Sequence, residues 1–241
     1  MRKEPPPVFP QTICGWLSQF TTNGEGKLSS RYGIVNPETK DITWGKSQNC
    51  GSGIQPSVAL RTDGKIVEVH EEKHLFKKSL YYRLGQVDMG RCGVHWEHPV
   101  KMTSKAANAK IAMSDEGYVV EVHEHEGDSA LCYTVGELKD THIEWGKTHY
   151  YDVGSSPNVC IKNWSNQLVE VHQNTASDFL QYRMGIINLK QMIIEWCPEK
   201  FKLQKGRHPS VSAGDNWTLM SVQVEASSSM ACSTGSIAKL L

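Results

Sequence analysis

The chain has 241 residues, with 26 basic and 26 acidic side chains and a formal net charge of zero. That balance argues against nucleic acid as a partner, because phosphate binding needs a concentrated basic surface. No apolar run approaches the 18 residues of a membrane-spanning helix, so membrane insertion is not expected.

Met1–Pro7 is basic and proline-rich and reads as a disordered lead-in, without the apolar centre of a signal peptide. Residues 8–241 then read as a single domain of short strands. Val8–Cys14 and Trp16–Thr21 resemble a shortened hairpin, and Asn23–Gly26 a turn. Leu28–Val35 and Ile42–Gly45 follow as two further strands. The next unit, Gly53–Glu71, has strands at Pro56–Leu60 and Ile66–His70. They are joined at Thr62–Lys65, where Asp63-Gly64 supplies a tight hairpin turn. The unit recurs as Ala109–His123, as Pro157–His172, and in weaker form as Pro209–Glu225.

A second pattern alternates with the first. Leu80-Tyr-Tyr-Arg-Leu-Gly85 is followed by Trp96, and Gly33, Gly136 and Gly185 are followed in the same way by Trp44, Trp145 and Trp196. With Gly235 the glycines stand 52, 51, 49 and 50 residues apart. A period near 50 built of four short strands is the signature of a propeller blade. The expected fold is an all-β, five-bladed β-propeller. Its last blade would be closed by pairing Val8–Phe20 with Ser229–Leu241, which removes open sheet edges.

Length, period and strand count resemble the five-bladed propeller lectins of the tachylectin-2 type and, more loosely, tryptophan-rich bacterial propeller lectins. The resemblance is one of architecture. It implies the propeller fold and carbohydrate binding, and it assigns no residue.

Three columns carry candidate binding groups. Trp44, Trp96, Trp145 and Trp196 offer aromatic faces for sugar rings, although indoles at this spacing equally suit packing between blades. Glu68/His70, Glu121/His123 and Glu170/His172 are pairs two residues apart, hence on one strand face. They could bond a ligand hydroxyl or tie blades together. Arg83 and Arg183 recur, with Thr134 in their place in the third copy, and could reach a ligand carboxylate or a neighbouring glutamate. His123-Glu124-His125 invites a metal reading, but the repeat column accounts for His123 alone, and no metal or cofactor is expected.

No GxSxG, P-loop or HExxH motif occurs. The expectation is therefore a non-enzymatic, multivalent lectin whose partners are glycans or glycoconjugates. A protein-binding scaffold is the alternative, and a glycosidase-like propeller, with His95, Glu97 and His98 as its irregular polar cluster, stands behind both. Seven cysteines without a CxxC pair suit reduced thiols, whereas the sequons at Asn163 and Asn216 suit secretion. The location expected is cytoplasmic, or secreted without a classical signal peptide.

Overall fold

The structure is a computed structural model that describes residues 15–36, 38–74, 77–88, 93–162, 164–213 and 219–224. Every regular element among them is a β-strand, and the strands form five antiparallel sheets. The first holds β1 (Gly15–Thr22), β2 (Lys27–Val35), β3 (Ile42–Trp44) and β4 (Gln48–Ser52). The second holds β5 (Ile54–Leu60), β6 (Lys65–His74), β7 (Lys77–Asp88), β8 (Gly93–Trp96) and β9 (Val100–Ser104). The third holds β10 (Ala106–Met113), β11 (Tyr118–His125), β12 (Ala130–Leu138) and β13 (Ile143–Val153). The fourth holds β14 (Ser155–Ile161), β15 (Gln167–Gln173), β16 (Phe179–Asn188), β17 (Ile193–Trp196) and β18 (Phe201–Lys205). The fifth holds β19 (Arg207–Ala213) and β20 (Leu219–Val224).

The three central sheets repeat one plan of successive antiparallel pairs. Their first strands, β5, β10 and β14, pack on one another and on β19, so these strands form the inner wall of the array. The outermost strand is split into two pieces in the second and fourth sheets, where Pro99 and Pro198 interrupt the ladder, and is continuous as β13 in the third. The blade plan read from the sequence is therefore present. The closing pairing, with Val8–Cys14 and 225–241, lies outside the described residues, as do both sequon asparagines.

The core lies between sheets. Val67, Val69, Leu80 and Tyr82 of the second sheet pack against Ile111, Met113, Val119 and Ile143 of the third. Val120, Val122, Tyr133 and Val135 of the third pack against Val159, Ile161, Leu168 and Ile194 of the fourth. A strand buried on both faces cannot alternate apolar and polar residues. That is why the second strand of each central sheet has a valine-rich middle, interrupted there only by its Glu-His pair.

The recurring Gly and Trp are one device. Gly33↔Trp44, Gly85↔Trp96, Gly136↔Trp145 and Gly185↔Trp196 face each other across neighbouring strands. The indole edges close on the glycine, and a Cβ at Gly136 would sit 2.6 Å from Ile143 Cγ2 and 2.7 Å from Trp145 Cε3.

Candidate functional site

The inner strands share a feature that none of the predicted elements contained. Ile54↔Glu71 is followed by Ser57↔Val69, Ala107↔Glu124 by Lys110↔Val122, Ser155↔Gln173 by Asn158↔Val171, and Arg207↔Val224 by Ser210↔Val222. Each step sets three residues against two, a β-bulge with one extra residue. In each bulge one residue is left-handed: Gln55, Asn108, Ser156 and His208, with φ of 52°, 54°, 52° and 51°. Non-glycine residues adopt this conformation at a cost, so four occurrences in register mark a device of the fold rather than an accident.

The four bulges surround one cavity of about 390 Å³, lined by Gln55, Asn108, Lys110, Ser156, Asn158 and His208 together with smaller residues. Since its walls come from the inner strands of four sheets, the cavity lies on the axis of the array. Among the described residues its lining holds amides, hydroxyls, two prolines, one lysine and one histidine, and no carboxylate.

Carboxylates stand just behind it. Glu71 is fully buried and accepts the Asn108 backbone N–H at 2.6 Å, while its other oxygen lies 3.2 Å from Lys78 Nζ. Glu124 accepts from Asn108 Nδ2 at 2.7 Å and from the Ser156 backbone N–H. The residue after the histidine in one sheet thus clamps the bulge of the next. Ser156 Oγ lies 3.2 Å from His208 Nδ1, bridging the fourth and fifth sheets. Burial pulls the Lys110 ammonium below the usual lysine range, against the opposing pull of Glu71 and Glu124.

The residues singled out in the sequence lie elsewhere. Glu68, Glu121 and Glu170 and their histidines are buried, and each histidine Nδ1 meets its glutamate, at 3.0 Å for His70, 2.9 Å for His123 and 3.0 Å for His172. Each histidine stands opposite the bulge of its own sheet. Arg83 Nε donates to Glu68 at 2.8 Å, and its other end donates to the Cys50 carbonyl of the preceding sheet. Arg183 makes the equivalent bond to the Tyr151 carbonyl at 2.8 Å. The tryptophans sit half-buried against aromatics of the preceding sheet: Trp96 on Phe20, Trp145 on Tyr82 and Trp196 on Tyr133. Trp44 lies under the Arg31 guanidinium at 4.3 Å.

Trp96 also borders a smaller cleft of about 190 Å³ with His95, Glu97, Lys65 and Asp140. His125 Nδ1 turns to Asp128 at 3.0 Å while His123 faces Glu121, so the two imidazoles serve separate partners.

No protein-family model and no curated protein matches the sequence. Solved structures do match the fold. A 6-phosphogluconolactonase-like protein of Bacteroides uniformis superposes with a TM-score of 0.60 at 10% identity, over 89% of this chain and 65% of that one. An α-L-arabinofuranosidase of Fusarium graminearum in complex with an iminosugar inhibitor gives 0.54 at 9% identity, over 88% and 67%. An α-L-arabinanase of Penicillium chrysogenum complexed with arabinobiose gives 0.52 at 11%, over 88% and 68%. The chain is all-β and propeller-like, and it spans about two thirds of the length of these structures.

This finding overturns two expectations drawn from the sequence, the multivalent lectin and the absence of catalysis. These three folds bear enzyme descriptions, and no lectin of the tachylectin-2 type is named among the matches. The repeat columns of Glu, His and Trp pack within or between the sheets, whereas the axial cavity is lined, apart from Pro157 and Pro209, by positions at which the repeats differ.

Proposed function

We propose that the protein is a carbohydrate-processing enzyme whose substrate occupies the axial cavity. The observation that carries this reading is the convergence of four left-handed bulges on one cavity. A repeated backbone device presents three kinds of polar side chain, the carboxamides of Gln55 and Asn108, the hydroxyl of Ser156 and the imidazole of His208, beside Lys110. Equivalent pockets would suit a multivalent binder, whereas a single asymmetric pocket suits chemistry, which needs distinct acids, bases and donors in fixed places.

The volume falls at the small end of ligand pockets, and hydroxyls and amides match a hydroxyl-rich ligand. The matching folds add support, since their descriptions name enzymes of arabinose-containing sugars and a sugar lactone. Among the described residues, Lys110 and His208 are the only ionisable side chains lining the cavity, so they are assigned the proton-transfer and charge-stabilising roles.

The test is turnover of arabinobiose, arabinan, acetylated xylo-oligosaccharides and δ-gluconolactone by the wild type, by Lys110→Gln and by His208→Gln. Turnover of at least one substrate class is expected, with a loss of about 100-fold or more in each variant. Wild-type turnover that neither substitution alters would remove the axial cavity from the mechanism. A wild type inert on every class would remove the enzymatic reading.

A further inference from the structure

We infer that Ser156 and His208 form a nucleophile–base pair, which makes the carbohydrate bond cleaved an acyl bond, in a sugar lactone or an O-acyl ester. The inference rests on the axial-cavity reading and narrows it.

Three observations converge. The first is what the cavity lacks. Hydrolysis of a glycosidic bond ordinarily uses two carboxyl groups flanking the bond. Among the described residues the axial lining has none, and the carboxylates behind it, Glu71 and Glu124, are occupied as acceptors for Asn108 and Ser156. The second is the contact itself. Ser156 Oγ and His208 Nδ1 are 3.2 Å apart, within hydrogen-bond reach, and both line the cavity. With its proton on Nε2, His208 accepts the serine hydroxyl through Nδ1. The third is how the serine is held. Its backbone is left-handed and its N–H is bonded to Glu124, which in turn holds Asn108. Two sheets therefore fix Ser156, while a third sheet supplies the base. Ser156 and His208 occupy the same column, so their meeting across adjacent sheets follows directly from the repeat.

The chemistry balances without any group beyond water. Ser156 Oγ attacks the acyl carbon as His208 Nδ1 takes the hydroxyl proton. The tetrahedral oxyanion forms in the cavity that Lys110 lines, and that cation stabilises it. Collapse breaks the acyl C–O bond, and the departing sugar oxygen takes the proton from His208. Water, deprotonated by the same imidazole, then attacks the acyl-serine. It releases the carboxylic acid and returns the proton to Ser156.

The experiment uses the full chain with δ-gluconolactone and acetylated xylobiose, and phenylmethylsulfonyl fluoride as a trap. Ser156→Gly suits the left-handed backbone and leaves the bulge unstrained, and Ser156→Ala keeps a Cβ. Both should fold with melting temperatures near wild type and lose about 100-fold or more in kcat/KM. The sulfonyl adduct should map to Ser156 by peptide mass and should fail to form in His208→Gln. An adduct elsewhere, or lactone and ester hydrolysis by Ser156→Gly at the wild-type rate, would overturn the pair. Should Ser156→Gly stay active while His208→Gln and Lys110→Gln do not, the axial site stands and the nucleophile does not. A wild type that cleaves only arabinobiose or arabinan also rejects the acyl chemistry and retains the carbohydrate-processing reading.

Discussion

Glu121 and His123 show how charge is settled at the scale of single residues. In the second and fourth sheets an arginine stands across the ladder from the buried glutamate, Arg83 from Glu68 and Arg183 from Glu170. In the third sheet Thr134 holds that place and bonds Thr148 at 3.1 Å instead. Glu121 is left with His123 as its positive partner. Burial opposes the imidazolium, but the Glu121 carboxylate, helped by the Cys132 side chain, overcomes this, and the His123 pKa is pushed up to about 10. His172 is shifted in the same direction, burial again losing to the bond and charge of Glu170. A folded-state pKa above the unfolded value of about 6.5 means stabilisation that is complete below that pH. It is lost as pH rises through the folded value. The melting temperature should therefore fall between about pH 6.5 and pH 10. In Glu121→Gln it should start lower and fall less steeply. A wild-type profile flat across that window would contradict the charged pair.

Among the elements, the paired strands and their turns were legible because apolar runs and Asp-Gly turns report local geometry. The glycine and tryptophan columns were legible as a pattern, but their relation was not. Only the register shows that Gly136 and Trp145 face each other, with no room for a methyl group. Gly136→Ala should accordingly destabilise the fold by about 1–3 kcal/mol, the range for overpacking a filled site, read from chemical denaturation at constant m-value. A loss below about 0.5 kcal/mol would mean that the indole can slide away. The bulges were hidden for a different reason. Gln55, Asn108, Ser156 and His208 share a backbone conformation but range over carboxamide, hydroxyl and imidazole side chains, and none is glycine, the residue that usually announces a left-handed site. Pro56, Pro157 and Pro209, each following the left-handed residue, were the one available signal, and Ala109 breaks even that. Columns of like residues pack here, and the column of unlike residues lines the axial cavity.

At the scale of the whole molecule, sheets contribute to the cavity only by keeping their inner strands in register with one another. That register is set from the outer side by layers of side chains between sheets. Trp196 is central to one of them, stacked on Tyr151 at 5.1 Å, edge-on to Tyr133 at 5.8 Å and beneath Arg183 at 4.8 Å. Tyr151 and Tyr133 belong to the third sheet, so the indole couples the third sheet to the fourth. Neighbour-coupled arrays lose stability at the weakened interface first, while other interfaces keep theirs. Trp196→Ala should cost about 2–3 kcal/mol, less than the about 3–5 kcal/mol of a fully buried tryptophan, because the ring is half-exposed. Amide exchange should quicken in β12, β13, β15 and β16 and remain slow in β6 and β7. The cavity should feel the change although Trp196 does not line it. Lys110 and Asn108 come from the third sheet and Ser156 from the fourth, so relaxed packing between the two loosens the Glu124 clamp on Ser156. Turnover should drop several-fold in molecules that remain folded, and Trp44→Ala, in the first sheet, should leave it near wild type. Equal losses of turnover from the two tryptophan variants would mean that the cavity responds to global stability rather than to the interface between its own walls.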